Sequence, residues 1–201
     1  MLAIAKQLFA EKGYEATTTS AIARGAGTSE SQLIKHFGGE EGLLLAILDE
    51  GWKQLEPRFA ELEKLGSSCE KFASLPKLVL TGLEQDPALL DLLLFEGRRM
   101  RKNEGSVLLS GGFQQLVQLA DKLLEEMRNS GDLAADVEPQ AARSALFGAL
   151  EGLVRDRMLA RRFGYPADYS DAQIQRVFGL LFSAMCTEQS RKRMEHEQSA
   201  A

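Results

Sequence analysis

The segment from Gly13 to Phe37 restricts what this chain can fold into more than any other, because two helix starts and one helix stop lie close together in it. Thr18 or Thr19 caps the first helix, since a hydroxyl oxygen accepts one of the free N–H groups of an opening turn. Ile22, Ala23 and Ala26 give that helix an apolar edge, and Gly27 supplies the backbone freedom needed to leave it. Ser29 caps the next helix. Leu33 and Phe37, four apart, bury against the first helix, while Glu30, Ser31, Gln32, Lys35 and His36 face away. Two short helices crossing steeply over a tight turn form the helix-turn-helix unit, whose second helix enters the major groove of DNA.

On that reading Gln32 and Lys35 reach base edges, Gln suiting adenine and Lys suiting guanine, and Ser31 is short enough to let the helix sit deep. Thr18 and His36 suit phosphates, as do Thr19 and Ser29 at the two helix starts, because hydroxyls and helix N-termini position a protein without reading sequence. Glu30 repels phosphates and is useful only opposite a cytosine amino group. The plain alternative is that these side chains are the solvated faces of a small helical subdomain. Net charge gives DNA binding no support: it is −5 overall, and residues 1–45 hold four bases (Lys6, Lys12, Arg24, Lys35) against five acids (Glu11, Glu15, Glu30, Glu40, Glu41).

The segment resembles the TetR family of transcriptional regulators. The resemblance rests on Leu8-Phe9, Gly13-Tyr14, Thr17-Thr18, Ile22-Ala23, Ala26-Gly27, Ser29, Leu33, His36-Phe37 and Glu41 with Leu43. Three positions depart from the family pattern: Ile34 stands where a Tyr is usual, Glu40 where a Lys is usual, and Thr28 where a Val is common. The first two family residues usually touch DNA phosphates. The chain also begins almost inside its first helix, where family members usually carry a few more, often basic, residues. The resemblance implies a helix-turn-helix head, a larger helical body with an apolar effector pocket, and a homodimer on a pseudo-palindromic operator.

At 201 residues, with 44% hydrophobic and 26% charged, the composition is that of a soluble globular protein. No apolar run approaches the ~18 residues of a membrane helix. The first ten residues, with Lys6 and Gln7 among them, are too polar for a secretory signal. These features place the chain in the cytoplasm, with no membrane partner. Cys69 and Cys186 belong to no Cys-x-x-Cys pattern, so they read as two reduced cysteines in helices, without a disulfide framework or a zinc site. The histidines are His36 and His196; a His-based triad or metal cluster in the body is excluded. No enzyme, cofactor or metal is expected.

Periodicity is helical throughout, giving an all-α fold: a head over residues 1–45 and a helical effector-binding and dimerisation body over 46–201. The spacing predicts helices over about 2–12, 40–64, 69–84 (kinked or restarted at Pro76), 86–103, 106–129, 139–163 and 170–193, with a frayed tail. Small residues Ala145, Gly148, Ala149 and Gly152 on one helix, with Val177, Phe178, Leu181 and Met185 on the next, predict a twofold interface built as a four-helix bundle. The bland alternative is packing within one chain. Leu92, Phe95, Glu96, Met100, Phe113, Leu116, Phe147 and Glu151 are the candidate effector-pocket residues. As a stripe they are more often plain core, and Glu96 and Glu151 have Arg99 and Arg155 within pairing distance along their helices. The cluster Arg98, Arg99, Arg101, Lys102 reads as a solvated helix end.

Overall fold

The computed structural model describes residues 1–82, 86–94, 96 and 109–200. Among these residues the secondary structure is helical, apart from an isolated bridge between Leu133 and Cys186. The elements in order are α1 (Leu2–Lys12), α2 (Thr19–Gly25), α3 (Glu30–Phe37), α4 (Glu40–Leu62), α5 (Ser68–Gly82), α6 (Pro87–Leu94), α7 (Gly111–Asn129), α8 (Pro139–Phe163), α9 (Asp171–Ala184) and α10 (Glu188–Ala200).

The chain divides into two compact units, Met1–Leu55 with Leu83–Gln115 and Glu56–Gly82 with Leu116–Ala201. This division departs from a cut at residue 45. The reason lies in α4, whose buried stripe of Leu44, Ile47, Leu48, Trp52 and Leu55 belongs to the first unit. There α6 lies hard against α4: a Cβ on Gly51 would come within 2.6 Å of a Leu89 methyl, so any larger residue would force that side chain to shift. α6 also packs on α1. Asp86 performs two tasks at that joint, capping α6 by accepting from the Leu89 N–H at 3.0 Å and pairing with the Lys6 ammonium.

In the second unit α5 packs on α9, with the Phe72 ring stacked at 5.0 Å from Phe182 and 6.3 Å from Phe178. Burying an aromatic ring of this size stabilises by roughly 1.5–3 kcal/mol. α7 buries Leu116, Ala120, Leu123, Leu124 and Met127 at helical spacing. It is tied to α5 by the Ser68 hydroxyl donating to Glu126 at 2.6 Å, and to α8 by the Arg143–Asp121 ion pair.

Three elements differ from the periodicity reading. α5 runs through Pro76 as one helix, with the proline buried. α7 begins at Gly111, where the Ser110 hydroxyl accepts from the Phe113 N–H at 3.2 Å. The helix expected over 170–193 is two, broken at residues 185–187. The segment 132–134 takes the backbone groups that would have continued it: Ala134 N–H donates to the Met185 carbonyl at 2.9 Å, and Thr187 N–H donates to the Asp132 carbonyl at 2.9 Å. The tail expected to fray is helical to Ala200.

Candidate nucleic-acid interface

The geometry of α2 and α3 follows from their caps. Thr18 is the N-cap of α2, its hydroxyl oxygen accepting from the Ala21 N–H at 3.2 Å. Gly27, at φ 66, makes the left-handed turn that lets the Thr28 N–H reach back to the Ala23 carbonyl at 3.0 Å. Ser29 then caps α3 by accepting from the Gln32 N–H at 3.3 Å, and Gly38 closes α3 in the left-handed conformation. Ile22, Ala23 and Leu33 are buried between the two helices, and Phe37 is half-buried. Thr17, 3% exposed, pins the end of α1 by donating to the Gly13 carbonyl at 2.8 Å.

This core leaves Ser29, Glu30, Ser31, Gln32, Lys35 and His36 exposed on α3, with Thr18 exposed and Thr19 half-buried at the start of α2. Two details bear on what this face can do. The carbonyl oxygen of Gln32 accepts from the Thr28 hydroxyl, which fixes that end of the amide and leaves its N–H donors for other partners. Ile34, at 49% exposure, puts an aliphatic side chain on the same surface.

The start of α2 is more acidic than a phosphate-binding helix end requires. Glu40, from α4, accepts from the Thr19 N–H at 3.2 Å, and Glu30, from α3, accepts from the Thr19 hydroxyl. A helix N-terminus carries a positive partial charge and attracts anions. Here the Glu40 carboxylate of the chain itself takes that position, with the Glu30 carboxylate beside it on the Thr19 hydroxyl. Glu30 therefore has a role the sequence did not disclose: it braces α3 against α2.

The residues assigned to an interface on α8 and α9 fall into two groups. Ala145, Gly148, Val177 and Leu181 are exposed, Val177 and Leu181 at 40% and 41%, and Ala149, Gly152 and Met185 are partly covered. A Cβ on Gly148 would meet nothing within 4 Å. Phe178 is corrected: at 1% exposure it points into the unit and stacks on Phe72, so it is core rather than interface. Leu180, 54% exposed, takes its place on the uncovered face. The signal for it was the i, i+3, i+4 repeat of Val177, Leu180 and Leu181, from whose centre Phe178 is turned by about 100° toward the core.

Of the candidate effector residues, Phe95 and Met100 lie outside the described residues, as do Arg98, Arg99, Arg101 and Lys102. Leu92, Glu96 and Phe113 belong to the first unit, and Leu116, Phe147 and Glu151 to the second. Glu96 is buried, 8% exposed, and its carboxylate accepts from the Trp52 indole N–H at 3.1 Å and from the Ser110 N–H. Burial pushes its carboxyl above the usual range, against the lowering effect of the Ser110 and Trp52 donors. The indole lies close against the start of α7: a Cβ on Gly112 would come within 2.1 Å of it, and the Phe113 ring packs at 6.4 Å, tilted. Glu96 thus clamps α4 to the first turn of α7. In the second unit Arg155 is bonded to Asp156 at 3.2 Å. That unit also holds an open cleft of about 720 Å³ between Arg157, Arg161, Tyr165 and Tyr169, around the loop that follows α8.

Residues 1–47 match the family model for bacterial regulatory proteins of the tetR family. Over these residues the chain carries a head of the tetR-family type. Among curated relatives, the HTH-type transcriptional regulator QacR of Staphylococcus aureus is 39% identical over 82 residues, a stretch that is 40% of this chain and 44% of that one. The fatty acid metabolism regulator protein of Bacillus subtilis is 26% identical over 157 residues, 75% of this chain and 77% of that one. Among solved structures, the regulator FadR from Bacillus subtilis in complex with stearoyl-CoA superposes with a TM-score of 0.73 at 20% identity, over 91% of this chain and 96% of that one. That likeness extends the TetR-type fold beyond the head. No helix among the described residues is long and apolar enough to cross a membrane.

Proposed function

We propose that this chain is a one-component transcriptional regulator, a repressor that grips a pseudo-palindromic operator as a homodimer and releases it when a small, largely apolar effector enters its helical body. Residues 1–45 carry the reading surface, and effector binding and dimerisation fall to residues 46–201, which contribute to both compact units. The protein works in the cytoplasm, by binding rather than by catalysis. The observation that carries this reading is α3 itself: capped by Ser29, seated on buried Leu33, and presenting Ser31, Gln32, Lys35 and His36 outward. A relative named for fatty acid metabolism and a structural neighbour holding stearoyl-CoA support an acyl chain as the apolar part of the effector.

The lever is α4 together with α6. α6 touches both α1, through Lys6 and Asp86, and α4, where Leu89 rests on Gly51. A ligand that binds better to one setting of α6 shifts the population of head positions toward that setting, with a coupling on the order of 1–3 kcal/mol.

One observation favours a second reading, a helical ligand-binding or scaffolding protein whose head no longer binds DNA: the carboxylates of Glu30 and Glu40 at the start of α2. A fluorescence anisotropy titration with DNA from upstream of the chain's own gene, at low and moderate salt, separates the two. The regulator binds tightly with a marked salt dependence; the alternative binds weakly and without regard to sequence. Gln32→Ala relaxes base preference by roughly 1–3 kcal/mol at one position, whereas Lys35→Ala also flattens the salt slope. Equal affinity of both variants for operator and scrambled duplex would contradict these roles.

A further inference from the structure

Glu30 and Gln32 bring strong acceptor oxygens to the outward face of α3, and both side chains are turned to hydroxyls of the chain itself. The Glu30 carboxylate accepts from the Thr19 hydroxyl at the start of α2. The Gln32 carbonyl oxygen accepts from the Thr28 hydroxyl. Thr28 is a fixed anchor: it is half-buried, and its backbone N–H donates to the Ala23 carbonyl at 3.0 Å. The backbone of Gln32 is held as well, its N–H donating to the Ser29 hydroxyl oxygen at 3.3 Å. Thr28 therefore meets Gln32 across the opening turn of α3.

What this pairing leaves for a base is a set of donors. A primary amide has one acceptor oxygen and two N–H donors. With its oxygen engaged, Gln32 offers only N–H groups, as Lys35 does with its ammonium. In the major groove adenine presents an acceptor, N7, beside a donor, the N6 amino group, so a glutamine reads it with both ends of the amide. Guanine presents two neighbouring acceptors, N7 and O6, and is read by donors alone. An amide whose oxygen is held by Thr28 matches guanine. Opposite adenine it would leave the amino group without an acceptor, and an unmade hydrogen bond costs affinity.

We propose that Thr28 sets the base preference of this chain: by holding the Gln32 carbonyl it turns a side chain that suits adenine into a reader of guanine. Gln32 is the residue that touches the base, and Thr28, acting through it, is a positioning residue. The inference deepens the role proposed above for α3 and rests on it. It reverses the pairing expected from the residue type alone. The cause is a hydroxyl four residues upstream, at a turn position where the family pattern commonly has a Val, which has no hydroxyl to offer.

Two substitutions at Thr28 separate the hydroxyl from the shape of the turn. Thr28→Val keeps the branched side chain and removes the donor, so both ends of the Gln32 amide are free for a base. Thr28→Ser keeps the donor and removes the methyl group. An effect of the tie on base choice follows the hydroxyl, whereas an effect of packing in the turn follows the methyl group.

Duplexes with a randomised central block are selected with the full-length wild type and with Gln32→Ala, Thr28→Val and Thr28→Ser, each checked for unchanged helix content by circular dichroism. One position in each half-site should lose its preference in Gln32→Ala. There the wild type and Thr28→Ser select guanine roughly tenfold over adenine, and Thr28→Val selects adenine at least as well as guanine. Replacing that guanine by 7-deazaguanine, which lacks the N7 acceptor, should weaken the wild type several-fold and leave Gln32→Ala unaffected. Adenine chosen by the wild type at the Gln32-dependent position, as an amide turned the other way would choose it, overturns the proposal. So does guanine selected unchanged by Thr28→Val, or the absence of any position that depends on Gln32. No enriched sequence from any of these proteins would sink the reading of α3 as a DNA-reading helix, and the base assignment with it. Where a Thr28 variant fails to fold, the wild-type selection and the 7-deazaguanine comparison decide the matter.

Discussion

Glu40 shows how one side chain can change the character of a DNA-binding surface. Its carboxylate accepts from the Thr19 N–H and so fills the anion position that the start of α2 creates. A DNA phosphate approaching that helix end meets a negative charge in place of a free donor. Glu40→Lys removes the carboxylate, frees the N–H and places a cation beside it. The expected outcome is several-fold tighter binding to duplex DNA, with the slope of log K against log salt steeper by roughly one for the added phosphate contact. Anisotropy titrations over a range of NaCl concentrations measure both; an unchanged slope would place Glu40 off the path of the phosphates. The substitution was legible in the sequence as a departure from the family pattern. Its partner was not, because Thr19 and Glu40 come together only once α2 and α4 are folded.

Glu96 sets the strength of one joint between elements. Its carboxylate links Trp52 of α4 to Ser110 at the head of α7, in a place that disfavours its charge. A carboxyl whose folded-state pKa is raised favours the folded state most when protonated. Its contribution is full below the ordinary value of 4.5 and is lost as pH rises through the elevated folded value. Urea unfolding of the wild type and of Glu96→Gln, followed from mildly acidic to neutral pH, tests this. The wild type should lose stability relative to the variant as pH rises, and parallel curves would show that Glu96 titrates as an ordinary surface acid. The Trp52–Glu96 pairing could not be read in advance, since the two lie far apart in sequence. What was readable was local: Thr18, Ser29 and the Ser170–Gln173 capping box each act within one turn of their own helix. The break between α9 and α10 was hidden for the opposite reason. Nothing in residues 185–187 forbids a helix; the segment 132–134 captures their backbone groups from elsewhere in the chain.

For the whole molecule, the open question is what covers α8 and α9. Val177, Leu180 and Leu181 form an apolar strip on α9, and Ala145 and Gly148 leave an uncovered small-residue groove on α8. A strip of bulky side chains and a stripe of small ones are complementary surfaces, and a twofold axis lets each copy supply both. Such a pairing matters for DNA because one α3 contacts one half-site. Two reading helices about 34–36 Å apart meet successive major grooves, so the second contact becomes intramolecular once the first is made. Leu181→Glu puts a charge into the strip at a residue already 41% exposed in the single chain. The fold of one chain therefore tolerates it, while an interface that buries the unpaired carboxylate is opposed by several kcal/mol. Light scattering after size-exclusion chromatography should show a monomer, circular dichroism should be unchanged, and operator affinity should fall by about 100-fold or more as the second contact is lost. A variant that stays dimeric would place the interface on another face. A monomer that keeps full affinity would mean that a single head suffices to hold the operator.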